Sequence, residues 1–295
     1  MMKISFDTLN INQESINEYI KEVQNEVDLK LKLDVVVTIN NVNGFQTILN
    51  ELEEYKENPK EFNLNHDGVF TCYDKSTDSF YYKSTKEKQD EFKKIHEKSL
   101  INVLYLPKKV LDADISNFDL ASESRKKVYK YFNDFVIDFK NGKNVKGLYL
   151  YGTFAIGKTY ALACLANLCA KNGIESLLIY FPDLVTELKS SIGTNRYVEL
   201  INKLKSIDVL MLDDLGSENL TPFIRDEVLG PILNYREAEG LPLFVSSNIS
   251  VQDLKEHLSI DMKSNENKLK AERIQSRMNG LMKTVNMQDS TPYKR

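Results

Sequence analysis

The chain has 295 residues, a length that fits two domains with a buried core, and its 42% hydrophobic and 28% charged residues exclude a disordered or fibrous chain. Its 39 basic and 43 acidic residues leave a formal charge of −4. No apolar run reaches the roughly 18 residues of a membrane span, and the opening MMKISFDTLN lacks the basic and apolar regions of a secretory signal.

Three cysteines (Cys72, Cys164 and Cys169) form no CxxC pair. That excludes a disulfide scaffold and a cysteine-rich zinc site, and points to a reducing, cytoplasmic setting. Charge is uneven along the chain: residues 1–105 carry 13 basic and 19 acidic side chains, and residues 106–295 carry 26 and 24. Neither half has the cation density that announces a nucleic-acid face, so charge alone leaves DNA binding open.

Residues 12–29 place Ile16, Tyr19, Ile20, Val23 and Val27 on one stripe, which predicts an amphipathic helix. A second helix is predicted from about Gly44 to Lys56, stopping before Pro59. Residues 62–83, with aromatics, turn residues and short alternating runs, read as a small hairpin region. The charged run 83–98 is a solvated helix or the approach to a linker. Pro107 opens a new composition, which places the domain boundary near residue 106, within about ten residues: 1–105 in front, 106–295 behind.

The back region alternates strand and helix. LYLY at 148–151, SLLIYF at 176–181, DVLMLDD at 208–214 and LPLFVSSN at 241–248 are strand candidates. Between them lie helical stretches at 158–171, from Pro182 onward, and at 222–240, the last bent at Gly230-Pro231 and stopped by Gly240. Ser250 and Asp253 form a capping-box start for the helix that follows. This alternation implies right-handed crossovers and a mainly parallel sheet.

One motif dominates: Gly152-Thr153-Phe-Ala155-Ile156-Gly157-Lys158-Thr159, matching GxxxxGK[ST] directly after a strand and opening a helix. Its glycines let successive N–H groups face phosphate oxygens at a helix N-terminus. Lys158 would reach the β- and γ-phosphates and the Thr159 hydroxyl would hold Mg²⁺, with Tyr160 counted among the nucleotide-binding residues. The plain alternative is a glycine-rich turn with a surface lysine; by composition the full pattern arises in about one such chain in a hundred.

Asp213 and Asp214 end the apolar strand Val209–Leu212. In a phosphate-loop NTPase an Asp there receives Mg²⁺ through water, a role that fits Asp213, while Asp214 could polarise the attacking water. Strand-ending acids that merely cap the next segment are the alternative. Asn248, at the tip of the fourth strand, could position water or touch the γ-phosphate; it could equally cap the following helix. Arg273 and Arg277 share one face of AERIQSRM. Arginines supplied in trans stabilise a transferring phosphoryl group, and a solvated basic face is the competing reading.

GTFAIGKTYALACLANLCAKNG, VLMLDDLGSE, RDEVLGPILNYR, LFVSSN and AERIQSRM, in that order, resemble the AAA+ domain of the DnaI-type helicase loaders, relatives of the DnaC loaders. The resemblance covers residues 106–295 strongly and the front 105 by position and size. It implies an α/β AAA+ P-loop NTPase with a parallel five-stranded sheet in the order 5-1-4-3-2, its fifth strand at 282–286. A small, mainly helical domain precedes it, and the chain end at Arg295 leaves only a truncated lid. It also implies ATP and Mg²⁺ as cofactors, and the replicative DNA helicase and single-stranded DNA as partners. Self-association would run through the AAA+ domain. Gly152, Gly157, Lys158 and Thr159 then correspond to Walker A, Asp213 and Asp214 to Walker B, Asn248 to sensor 1, and Arg277 to the arginine finger, with Arg273 its fallback.

Two features depart from the family. Ala155 stands where a Gly is usual. The front domains of these loaders bind zinc, yet this one offers only Cys72, His66 and His96, too few soft ligands for a closed tetrahedral site. No structural zinc is expected, and His66 and Cys72 read as ordinary hairpin residues. The run 125–132 has a DNA-binding composition, but at helical spacing Val128, Tyr131 and Phe132 face a core. The expected activity is slow, assembly-dependent ATP hydrolysis coupled to helicase loading. The rivals are a transposition-associated ATPase of the IstB type, an adaptor that binds nucleotide without turnover, and a small-molecule kinase in which Asn248 and Arg277 would be idle.

Overall fold

A computed structural model of the chain describes residues 13–217, 221–259 and 265–288. The opening MMKISFDTLN, Glu218 at the end of VLMLDDLGSE and the chain end at Arg295 lie outside the described residues. The chain divides into two units, Met1–Ile95 and His96–Arg295.

In the first unit α1 (Gln13–Glu26) runs into a π-turn, Val27–Leu31, that Lys32 closes in a left-handed conformation. The predicted stripe buries Val23 and Val27 against Val37 and against Val42, Phe45 and Leu49 of α2 (Val42–Glu57). Pro59 does more than stop a helix. The Asn58 side chain accepts from the Glu61 N–H and caps a further helix, α3 (Pro59–Asn65), with proline in its first turn. The start of the expected hairpin region is therefore helical, and the hairpin is confined to β1 (Val69–Asp74) and β2 (Ser79–Ser84), paired antiparallel. Rings fill the space between helix and hairpin: Phe45 lies 4.8 Å from Tyr73 and 5.3 Å from Phe80, and Phe62 lies 4.7 Å from Phe70. The buried Glu51 carboxylate ties α2 to β1 by accepting from the Thr71 N–H at 2.6 Å and the Thr71 hydroxyl at 2.9 Å. The charged run becomes α4 (Lys86–Ser99), a helix that buries no side chain, and the division after Ile95 falls within it.

The second unit is built on β3 (Ile101–Leu104), β4 (Gly147–Tyr151), β5 (Ser176–Tyr180), β6 (Val209–Asp213), β7 (Leu243–Ser247) and β8 (Met282–Asn286). They form a parallel sheet of order β3-β5-β6-β7-β4-β8. Strands β5, β6 and β7 are nearly continuous apolar runs because both faces are covered. Leu178, Met211 and Phe244 point into one layer with Val128 and Phe132 of α5 (Glu123–Lys140) and Leu162 and Leu165 of α6 (Lys158–Lys171). Leu177, Ile179, Leu210 and Leu212 point the other way. There they meet α7 (Phe181–Ser190), α8 (Asn195–Ser206), α9 (Gly230–Glu239) and α11 (Asn265–Leu281).

Five strands follow the expected order, with β8 at 282–286 as anticipated; the sixth corrects the count. Residues 101–104 pair with β5, Ile101 opposite Ser176 and Leu104 opposite Ile179. The composition change at Pro107 comes after this half-buried edge strand, and the division after Ile95 lies about ten residues before it. The stretch 222–240 is interrupted where Gly230-Pro231 foretold it: a π-helix, Ile224–Leu229, passes into α9, and Gly240 ends it at φ 67°. Ser250 and Asp253 form the anticipated capping box on α10 (Val251–His257). Arg236 is fully buried, and its guanidinium donates to the carbonyls of Leu204, Lys205, Ile207, Asp208 and Pro242, which joins α9 to the start of β6 and β7.

Candidate nucleotide site

The loop between β4 and α6 is shaped by three residues with positive φ: Gly152 at 148°, Ala155 at 60° and Gly157 at 90°. A Cβ at Gly152 would meet Ile156 Cδ1 at 2.7 Å and Gln288 N at 3.2 Å, so only glycine fits there. Ala155 adopts the left-handed conformation at a steric cost of about 1 kcal/mol that a glycine would not carry. Gly157 caps a 14-residue helix, whose N-terminus brings N–H groups and partial positive charge to the loop.

Lys158 folds back over the loop. Its Nζ donates to the carbonyls of Gly152 (2.9 Å) and Thr153 (2.8 Å) and to Asn248 Oδ1 (2.9 Å). Burial lowers its pKa, and the nearby Asp214 and Asp213 oppose that shift. The Thr159 hydroxyl sits 3.0 Å from both carboxylate oxygens of Asp213. Asp213 is only 2% exposed, and burial pushes its carboxyl up against the hydrogen bonds of Ser246 and Thr159 that hold it down. Ser246 serves both acids: its Oγ donates to Asp213 and accepts the Asp214 N–H at 2.9 Å. Asp214 stands at φ 61°, and its carboxylate accepts from Asn248 Nδ2 at 2.7 Å. Tyr180 Oη lies 3.5 Å from its other oxygen.

The structure thus gathers Lys158, Thr159, Asp213, Asp214 and Asn248 into one hydrogen-bonded cluster at the C-terminal ends of β4, β6 and β7. Thr153 and Ala155 lie exposed on the loop, Ile156 is buried beneath it, and the half-buried Tyr160 ring lies parallel to Phe118 with centroids 6.4 Å apart. Arg277 stands outside the cluster: its Nη1 donates to the Gly230 carbonyl at 3.3 Å, and Arg273 is exposed one turn earlier. The facing oxygens of Thr159 and Asp213 suit Mg²⁺, a hard cation that takes few protein ligands and fills its shell with phosphate and water. Among the described residues no group of three or more His, Cys, Asp or Glu could hold a metal ion. Cys72 lies on β1, whereas His66 lies just before the hairpin, its Nε2 2.6 Å from Glu54 and its ring stacked on Phe62.

Three residues in contact with the cluster or its loop carry roles that sequence reasoning did not give them. Ser246 and Tyr180 touch the two acids; the signal for Ser246 is a polar break in an otherwise apolar strand. Arg125 donates from Nη2 to the Ile156 carbonyl at 3.3 Å. It falls on the buried face with Val128 and Phe132, at i, i+3 and i+7, a signal hidden by reading it as the start of a basic run.

Residues 86–273 match the family of IstB-like ATP binding proteins. The replicative helicase loader DnaI of Bacillus subtilis (strain 168) is 32% identical over 281 residues, which span 91% of this chain and 86% of that one. The replicative helicase loader DnaC of Buchnera aphidicola subsp. Baizongia pistaciae is 24% identical over 173 residues, 58% of this chain and 67% of its own. A crystal structure of DnaI superposes with a TM-score of 0.59 at 40% identity, covering 67% of this chain and all of that one. No helix of the described residues is long and apolar enough to cross a membrane.

Proposed function

The chain belongs to the DnaI-type replicative helicase loaders, with an IstB-like ATP-binding domain, and from that premise we propose that it loads the replicative helicase in a cycle of ATP binding and slow, assembly-dependent hydrolysis. Loading of the replicative helicase is its function in DNA replication. A transposition role is not favoured: the IstB-like match covers the ATP-binding part, which both readings share, whereas the likeness to DnaI runs through 91% of the chain.

The cluster of Lys158, Thr159, Asp213, Asp214 and Asn248 carries the nucleotide half of the reading. To meet phosphates, Lys158 exchanges the Gly152 and Thr153 carbonyls for phosphate oxygens, which returns a full charge partner to a buried ammonium. Thr159 and Asp213 would hold Mg²⁺, which when bound neutralises charge on the β- and γ-phosphates. Ser246 keeps the Asp213 carboxylate oriented, and Asn248, bonded at once to Lys158 and Asp214, links the lysine to the acid that would orient the attacking water. A neighbouring copy's Arg277 would complete the charge stabilisation, which makes turnover depend on self-association through the back unit. Residues 1–105 would grip the helicase, and the assembled back units would meet single-stranded DNA.

Measuring ATP binding and turnover against protein concentration, with and without helicase, tests this. Lys158→Ala should abolish binding. Arg277→Ala should leave binding intact and reduce assembled turnover by about a hundredfold or more. Full turnover in a dilute monomer, or unchanged assembled turnover in Arg277→Ala, contradicts the assembly-dependent cycle.

A further inference from the structure

Arg125 is a fully buried cation beside the phosphate loop, and the nucleotide chemistry above assigns it no part. Its side chain bridges two segments. Nη1 donates to Asp119 Oδ2 at 2.6 Å and Nη2 donates to the Ile156 carbonyl at 3.3 Å. The segment before α5 is itself fixed: Asp119 accepts the Ala121 N–H at 2.9 Å, and the Ser122 hydroxyl accepts the Arg125 N–H at 3.2 Å. Ile156 immediately precedes Gly157, so the carbonyl held by Arg125 and the Gly157 N–H belong to one peptide group. That group is planar and trans, and its C=O and N–H point in opposite directions. Holding the oxygen toward α5 therefore turns the N–H the other way.

We propose that Arg125, oriented by Asp119, is a positioning residue for nucleotide binding: it fixes the Ile156–Gly157 peptide so that the Gly157 N–H faces the phosphates. The inference rests on the nucleotide reading of the loop. The geometry requires a fork. A lysine retains the charge but cannot span Asp119 and the Ile156 carbonyl with two directed donors. Without the anchor the peptide can rotate, and the cradle loses a preorganised donor that ATP and ADP use alike.

The test compares full-length wild type, Arg125→Met, Arg125→Lys and Asp119→Asn, measuring affinities for ATP and ADP by calorimetry well below each melting midpoint. Arg125→Met should lose about tenfold in affinity, by the same factor for ATP and ADP. Arg125→Lys should recover part of that loss, and Asp119→Asn should lose about threefold. Equal losses distinguish this role from that of Lys158, whose removal should cost more with ATP than with ADP. Variants that melt earlier yet bind both nucleotides as wild type does would overturn the proposal and leave the nucleotide reading standing. If Arg125→Met does not fold, unchanged affinities in Arg125→Lys and Asp119→Asn overturn it equally. Failure of wild type to bind either nucleotide removes the premise itself.

Discussion

At the scale of single residues, the site combines strain with desolvation. Ala155 and Asp214 both hold left-handed backbone conformations that non-glycine residues adopt at a cost, one in the phosphate loop and one at the strand tip facing it. Lys158 and Asp213 are both buried, and burial shifts each toward its neutral form. Such an arrangement is stable only while its hydrogen bonds are complete, and Ser246 and Asn248 complete them. Ala155→Gly removes the steric cost without touching the cluster, so it should raise stability toward denaturant by up to about 1 kcal/mol, less the glycine's extra freedom when unfolded. A fall in stability would show that the methyl group makes a packing contribution.

At the scale of elements, the loop depends on what packs behind it. The segment before α5 lies on α6 through Phe118 and Tyr160, and Lys171 at the end of α6 donates to Asp114 at 2.7 Å. That contact and the Ser116 hydrogen bonds hold the Asp114 carboxyl down to about 2. The sign follows from linkage. A carboxylate whose folded pKa is depressed contributes stability above its unfolded value near 4, and loses it as pH falls toward the folded one. In urea titrations wild type should therefore exceed Asp114→Asn at neutral pH, with the difference shrinking between about pH 5 and about pH 2. A difference independent of pH would mean that the substitution acts through packing. In the front unit, Glu51 and the rings of Phe45, Phe62, Phe70, Tyr73 and Phe80 join the hairpin to its helices. A strong zinc chelator should accordingly leave its melting midpoint unchanged; a drop of several degrees would reveal a structural metal.

At the scale of the whole molecule, legibility in the sequence tracks how local the cause is. The phosphate loop, the strand tip at Asp213 and the caps at Gly240 and Ser250 were readable because each depends on a few adjacent residues with a stereochemical requirement. The edge strand beyond β5 was not. Ile101–Leu104 becomes a strand only because β5 offers it an edge, and its four residues carry little pattern of their own. Arg125 and Ser246 were hidden for the same reason: their partners, Ile156 and the two acids, lie about thirty residues away in sequence. The α3 helix was missed because Pro59 can end one helix and begin another, and the deciding contact is the Asn58 cap.

We propose that this two-unit chain grips the replicative helicase and that its nucleotide site governs the grip. The decisive measurement is light scattering on the full-length protein mixed with the replicative helicase of the same cell, with ATP and with Lys158→Ala alongside. The account predicts a complex of the combined mass whose stability or stoichiometry changes with ATP in wild type and not in Lys158→Ala. Two species that remain separate under every nucleotide condition would contradict it.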